Sequence, residues 1–512
     1  MQSNMLAYFE NGAARHHPDK IAIVDGLTRI TFSELERRAK HFASVLVSRA
    51  DVLNQPIAVY LPKSADVVVA DLAVVYSGNL YSNLDVKSPP QRLKNILLNI
   101  GPRLVITSRD RAADVLAAGI AQDQIVLVEE SHEQPGATDF QWLTERRDRI
   151  IDTDPLCIIN TSGSTGTPKG VVLSHRGTID FMDWVFETFD FDESYTIGSL
   201  SPFYFDIYTL ELNVCLAKGA TLVIVPDELP IFPAKLMMFL AEAQIDFLFW
   251  VPSIMVNIAN MGLLDKIALP ALRRVFFAGE VFPTRHLNMW RRALPQAQFV
   301  NLYGPIEIHV DCTYYIVEGE IPDDQPLPIG YPCRNSDILI LNEANQPCAV
   351  DEQGELCVRG SSLAHGYWND PEKTARAFVQ NPLNTRYPEL IYRTGDLALR
   401  RANGQIFLAG RKDFQIKHMG YRIELPEIEH QVLGIPGIAN ACVVYDHSRK
   451  AITLFYQPSG ADVPISTIRQ ALSEIFPKYM LPTAFHSMEQ LPMNPNGKID
   501  RNGLVQSLAA DQ

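Results

Sequence analysis

The chain has 512 residues, with 59 acidic against 45 basic side chains and a formal charge of −14. That balance argues against nucleic-acid or anionic-membrane binding as the main activity, since either needs a basic face, and the length calls for three or four packed units at roughly 150 residues each. Seven scattered cysteines, with no C-x-x-C pair and no histidine at ligand spacing, read as buried thiols of a reducing compartment rather than a metal site.

The N-terminus carries no basic segment followed by an apolar core, and the most apolar stretch, 65–76, is interrupted by Asp66 and Asp71. No membrane span is expected, and the expected location is the cytoplasm. From about residue 20 to 310, β-branched runs at 57–60, 104–107, 125–128, 221–225 and 275–277 alternate with amphipathic segments. That rhythm belongs to a parallel sheet with crossover helices.

Between the apolar runs 157–160 and 171–173 lies Thr161-Ser162-Gly163-Ser164-Thr165-Gly166-Thr167-Pro168-Lys169-Gly170, with three glycines and five hydroxyls. Such a loop can present N–H groups and hydroxyls to phosphate oxygens, and Lys169 adds charge. It is not a Walker A loop, because Pro168 stands where that pattern needs glycine and no Ser or Thr follows Lys169. A Gly/Ser linker is the plainer alternative, but the flanking runs read as buried strands rather than as domain ends.

Residues 325–410 change character, with closely spaced turns and strands at 337–341, 355–359 and 405–408, which predict a smaller antiparallel β unit. Gly410-Arg411-Lys412-Asp413 reads as a short polar linker. Beyond it, strands at 441–445 and 452–456 and a helix at 468–476 suffice for a small α+β domain.

Five stretches now stand in a fixed order: the loop at 161–170, Tyr303-Gly304-Pro305-Ile306-Glu307, Tyr392-Arg393-Thr394-Gly395-Asp396, Gly410-Arg411-Lys412-Asp413 and Asn494-Pro495-Asn496-Gly497-Lys498. Together they resemble the adenylate-forming superfamily of acyl-CoA synthetases, luciferases and nonribosomal-peptide adenylation domains. Weaker matches at Ile30-Thr31-Phe32-Ser33-Glu34-Leu35, Gly354-Glu355-Leu356, Gly366-Tyr367-Trp368 and Tyr479-Met480-Leu481-Pro482 extend the resemblance over nearly the whole chain. It implies an α/β fold: a large N-terminal domain, 1–412, of parallel α/β subdomains plus a β subdomain, and a small mobile C-terminal α+β domain, 413–512.

The resemblance also implies roles. Thr161, Ser162, Gly163, Ser164, Thr165, Gly166 and Lys169 would grip ATP phosphates, with Gly279, Glu280, Asn301, Tyr303, Gly304, Asp396 and Arg411 completing the nucleotide site. Asp396 on its turn suits two ribose hydroxyls, Tyr303 offers a ring face to adenine and Asn301 an amide to its exocyclic nitrogen. Glu307 would supply a hard oxygen to the Mg2+ that accompanies ATP. The family most often has Thr where Ile306 stands, so one hydroxyl near the α-phosphate is missing. Lys498 would bridge the substrate carboxylate and the α-phosphate in the first half-reaction. Asp413 matches the hinge of the mobile domain, and Gly420 the glycine lining a thiol channel.

Ser201-Pro202-Phe203-Tyr204-Phe205-Asp206 resembles the segment that, in amino-acid-activating members, sets an aspartate against the substrate α-ammonium. A buried carboxylate needs a cationic partner; Asp206 can equally cap a helix beginning near Ile207. Carried over singly, the pocket is Asp206, Ile207, Leu210, Trp250, Phe276, Ala278, Leu302, Val310 and Asp311, flanked by Phe205. This apolar, crowded lining, with Trp250 filling volume, looks like the pattern of stand-alone proteins that activate L-proline, although each residue can be ordinary core. Asp311 departs from that pattern and leaves hydroxyproline, serine and alanine open.

The activity implied is ATP-dependent conversion of a small amino acid, L-proline as the leading candidate, to aminoacyl-AMP, followed by transfer to a carrier-protein thiol. Because the chain ends soon after Lys498, the carrier is expected to be a separate protein. The alternatives are an acyl- or aryl-CoA ligase and a catalytically silent nucleotide-binding protein.

Overall fold

The β-branched runs of the first three hundred residues fold into two sheets rather than one. In the computed structural model, which describes residues 4–132, 141–162, 168–447, 449–460, 462–493 and 499–510, one sheet has seven strands. Its order is Gly366–Tyr367, Lys169–Ser174, Pro155–Thr161, Leu80–Asn83, Pro56–Tyr60, Leu104–Thr107 and Ile125–Leu127. The other has nine strands, of which Gln298–Tyr303, Arg274–Phe277, Phe247–Trp250, Thr196–Ser199, Thr221–Ile224 and Ile21–Asp25 run parallel in that order. Antiparallel strands close its edges.

Strand alternation decides what each sheet face packs against, since successive side chains point to opposite faces. Ile57 and Val59 face one core while Ala58 and Tyr60 face another. The helices Phe32–Arg49, Ala65–Tyr76, His175–Thr188 and Ile207–Lys218 lie between the sheets and share a continuous core with both. Helix Pro90–Ile100 covers the outer face of the smaller sheet. Pro233–Glu242, Pro252–Asn260 and Thr284–Ala293 cover that of the larger. Thr31 starts the first of the inner helices as its N-cap, accepting a hydrogen bond from the Glu34 N–H at 3.2 Å.

The sandwiched position explains the apolar stretch at 65–76: a helix buried on all sides needs no polar face. Its Asp71, which burial pushes up to about 8, accepts a hydrogen bond from Asn83 Nδ2 at 3.0 Å. No described helix is long and apolar enough to cross a membrane. All seven cysteines are free, and six are buried.

Strands Ser336–Leu341, Gly354–Gly360, Leu390–Arg400, Phe378–Gln380 and Ile406–Arg411 form the antiparallel β unit. After it the hairpin Gln415–His418 and Tyr421–Glu424 pairs only with itself. The remainder packs Leu425–Leu433 and Ile465–Ser473 on one face of a sheet of Ile438–Asp446, Ala451–Pro458 and Ala484–Ser487, with Arg501–Ala510 on the other. The helix predicted at 468–476 begins three residues earlier because Pro464, at its N-cap, sets the entry.

Candidate active site

The parallel strands converge on one cleft that is partly open to solvent, the kind of concave site in which small ligands bind. Its walls come from the chain just past the C-terminal ends of strands in both sheets, Leu84 and Asp85, Ser162, Val251, Ala278 and Gly279, Gly304 to Ile306. That is where open α/β sheets gather ligands. The hairpin at 415–424 closes it from the small domain with Gln415, Lys417, Gly420, Tyr421 and Arg422.

One end carries a chain of charge-assisted hydrogen bonds. Tyr303 donates its hydroxyl to Asp396 Oδ2 at 2.5 Å, and Arg411 NH1 reaches Asp396 Oδ1 at 2.5 Å. Arg411 also grips Asp413 with Nε and NH2, each at 2.7 Å. Thr394, Asp396, Arg411, Tyr303 and Gly304 all line the cleft. Asn301 does not; its Nδ2 donates to the carbonyl of Pro328 at 2.8 Å, so one amide hydrogen expected for adenine is committed elsewhere.

Glu307 is fully buried. Arg422 NH1 contacts its two oxygens at 3.0 and 2.8 Å, Tyr367 donates its hydroxyl at 2.8 Å, and Lys169 Nζ stands at 3.3 Å. Burial alone would raise this carboxyl; Arg422 and Lys169 outweigh it and hold it well below the usual carboxylate range. As it stands the carboxylate does not fit a magnesium ion, because a divalent charge there would meet a guanidinium and an ammonium at contact distance. Thr161 and Ser162 line the cleft, and Ser162 Oγ donates to the carbonyl of Arg422 at 2.7 Å. Gly163, Ser164, Thr165, Gly166 and Lys498 lie outside the described residues.

The small domain is further pinned by Glu280, whose Oε1 accepts from the Gly420 N–H at 2.9 Å and Oε2 from that of Ser253 at 2.8 Å. Glu280 thus serves here as a link between domains. Gly420 has φ +81°, and a Cβ there would come within 2.9 Å of Val251, so only glycine fits. Arg92 and Glu427 form a buried ion pair across the same boundary at 3.3 Å.

Arg422→Ala is expected to weaken docking of the small domain by about 1–3 kcal/mol, since Lys169 and Tyr367 still answer part of the Glu307 charge. Hydrogen exchange would report it as faster exchange in the 415–424 hairpin, and unchanged protection there would show that the ion pair does not hold the domain.

Asp206 sits half-buried on the cleft floor, where it caps helix Ile207–Lys218 by accepting from the Ile207 N–H at 3.1 Å. Burial pushes its carboxyl up to about 7, against the nearby Lys417 charge. Phe205, Ile207, Ala278, Val310 and Asp311 line the cleft beside it. Leu210, Phe276 and Leu302 lie in the inner core but not on the cleft surface.

Trp250, expected in the pocket, instead faces the opposite side of the sheet, in the outer core, with its ring edge-on to Trp290 at 6.4 Å. The register pairs Trp250 with Phe277, and Phe249 with Phe276. Strand alternation therefore gives the cleft position to Phe249, which does line it. The signal was available, since Phe276 and Ala278 were already assigned to one face and their in-register neighbour shares it.

Lys417 and Arg422 were missed as site residues. They are direct cross-strand partners in the hairpin, and two like charges in that relation need anions opposite them. Glu307 answers Arg422; Lys417 forms no ion pair among the described residues and stands in the cleft under the influence of Asp396, Asp311 and Asp206.

The family model for AMP-binding enzymes matches residues 9–368, and the one for the AMP-binding enzyme C-terminal domain matches 427–498. The chain belongs to the AMP-binding enzyme family. Zwittermicin A synthase ZmaJ of Bacillus cereus is 30% identical over 518 residues, 99% of this chain and 95% of that protein. Tyrocidine synthase 1 of Brevibacillus parabrevis is 31% identical over 503 residues, 98% of this chain but 45% of that protein, so the chain spans less than half of it. Among solved structures, holo-PA1221, an NRPS protein containing adenylation and PCP domains, superposes with a TM-score of 0.83 at 25% identity, covering 99% of this chain and 84% of that one.

Proposed function

We propose that this protein activates a small amino acid with ATP and passes the product to the phosphopantetheine thiol of a carrier protein. An oxygen of the amino-acid carboxylate attacks the α-phosphorus, the bond to the β-phosphate breaks, and pyrophosphate leaves. The thiol, losing its proton, then attacks the carbonyl carbon of the mixed anhydride and AMP departs.

The observation that carries this reading is Asp206, a carboxylate at the apolar end of the cleft whose other end holds the Tyr303, Asp396 and Arg411 array. An acyl- or aryl-CoA ligase has no use for an anion beside its substrate's apolar body, whereas an α-ammonium pairs with it. The nonribosomal-peptide relatives and the PCP domain named for PA1221 support a carrier as acceptor.

In this reading Asp396 takes the ribose hydroxyls, Tyr303 the adenine face, and Lys498 the charge that develops during attack. Asp413 is the hinge and Gly420 borders the path of the thiol. Magnesium with ATP would require Glu307 freed of Arg422, so the docked hairpin suits the second half-reaction, with large and small domains dividing near 412. The free thiols favour a reducing compartment, the cytoplasm. Proline meets the apolar part of the lining. Pyrophosphate exchange dependent on an amino acid is the test, and its absence with every amino acid would overturn the proposal.

A further inference from the structure

Asp311 is 2% exposed, yet it lines the cleft. Its Oδ2 is sealed from solvent with no hydrogen-bond partner among the described residues. The backbone gives it no way out: the Cys312 N–H donates to the Tyr303 carbonyl at 2.8 Å, and the turn presses so close that a Cβ on Gly304 would stand 2.4 Å from Asp311 Cα.

The groups that face it do not satisfy it. Asp206 is a like charge, and Lys417 acts from a distance without forming an ion pair among the described residues. Lys417 also belongs to the small domain, whose hairpin must leave if Glu307 is to be freed of Arg422, so it cannot serve as a permanent partner. Burial pushes the Asp311 carboxyl well above the ordinary carboxylate range. Burial thus favours the protonated form, which accepts one hydrogen bond and donates another.

An apolar ring or methyl placed here would leave that group buried and unanswered, and sites with a stranded polar group reject such ligands strongly. Resting on the amino-acid reading above, we propose that the natural substrate is a compact amino acid whose side chain carries a hydrogen-bond donor, a hydroxyl or an amino group, directed at Asp311. Asp206 takes the α-ammonium, and Asp311 reads the side chain.

Pyrophosphate exchange with matched pairs tests this: serine against alanine, 4-hydroxyproline against proline, 2,3-diaminopropionate against alanine. The wild-type chain is expected to favour the donor-bearing member of at least one pair by about 10- to 100-fold in kcat/KM, a ratio that needs no variant. Asp311→Ala should cut that ratio at least tenfold. Asp311→Asn, which keeps an acceptor and a donor but no charge, separates the sources: a hydroxyl preference survives it and an ammonium preference does not. Exchange with alanine or proline favoured over their partners would overturn the proposal while leaving adenylation intact. A preference unchanged in both variants would overturn it too. No exchange with any amino acid would instead overturn the underlying reading.

Discussion

Replacing Lys498 by alanine is expected to lower amino-acid-dependent pyrophosphate exchange by about 10²- to 10³-fold, the effect of losing one group that stabilises developing charge. Transfer from a preformed aminoacyl-adenylate to a carrier thiol should persist. The asymmetry follows from which cations reach the cleft. Among the described residues, the small-domain cations that line it are Lys417 and Arg422, and Lys498 lies outside the described residues. Under the proposal that Lys498 serves the first half-reaction and the docked hairpin the second, removing Lys498 should affect one alone. Arginine should not rescue it, because a planar fork does not replace a compact ammonium between two anions. Equal loss of both half-reactions in Lys498→Ala would contradict this division.

Asp206→Asn should raise KM for the amino acid by about 10²-fold or more, as expected for stranding a buried ammonium, with ATP affinity little changed. Asparagine is the informative replacement because it caps a helix as well as aspartate, preserving the bond to Ile207 and removing only charge. The pH profile gives an independent reading. Burial raises the Asp206 carboxyl to about 7, and only its ionised form pairs with the α-ammonium. The amino-acid kcat/KM of the wild type should therefore fall as pH drops below about 7, approaching tenfold per unit, and the Asn variant should lose that limb. A flat profile in the wild type would show that Asp206 does not bind the ammonium.

Runs such as 57–60 and 104–107 are readable as buried strands because β-branched residues stand bounded by turn signals, and both are strands in the structure. Their division between two sheets is not readable, since strands of either sheet look alike. It rests on pairings such as Ile21–Asp25 with Thr221–Ile224, some two hundred residues apart. The site divides in the same way. Asp206, Tyr303 and Asp396 stand in short motifs, and the family resemblance those motifs carry is what marks them. Phe249 in place of Trp250, and the joint presence of Lys417 and Arg422, depend on register and on which domain face is docked, and neither is local. Asp311 was legible only as an anomaly; its Oδ2, buried with no hydrogen-bond partner among the described residues, gives the anomaly content.

The proposed activity is that this cleft joins an amino acid to AMP. Exchange of labelled pyrophosphate into ATP, measured across the common amino acids and the donor-bearing analogues above, tests it most directly. The expected result is exchange stimulated by at least one small α-amino acid and abolished by Asp206→Ala. Stimulation by carboxylic acids lacking an α-amino group, with none from any amino acid, would contradict it.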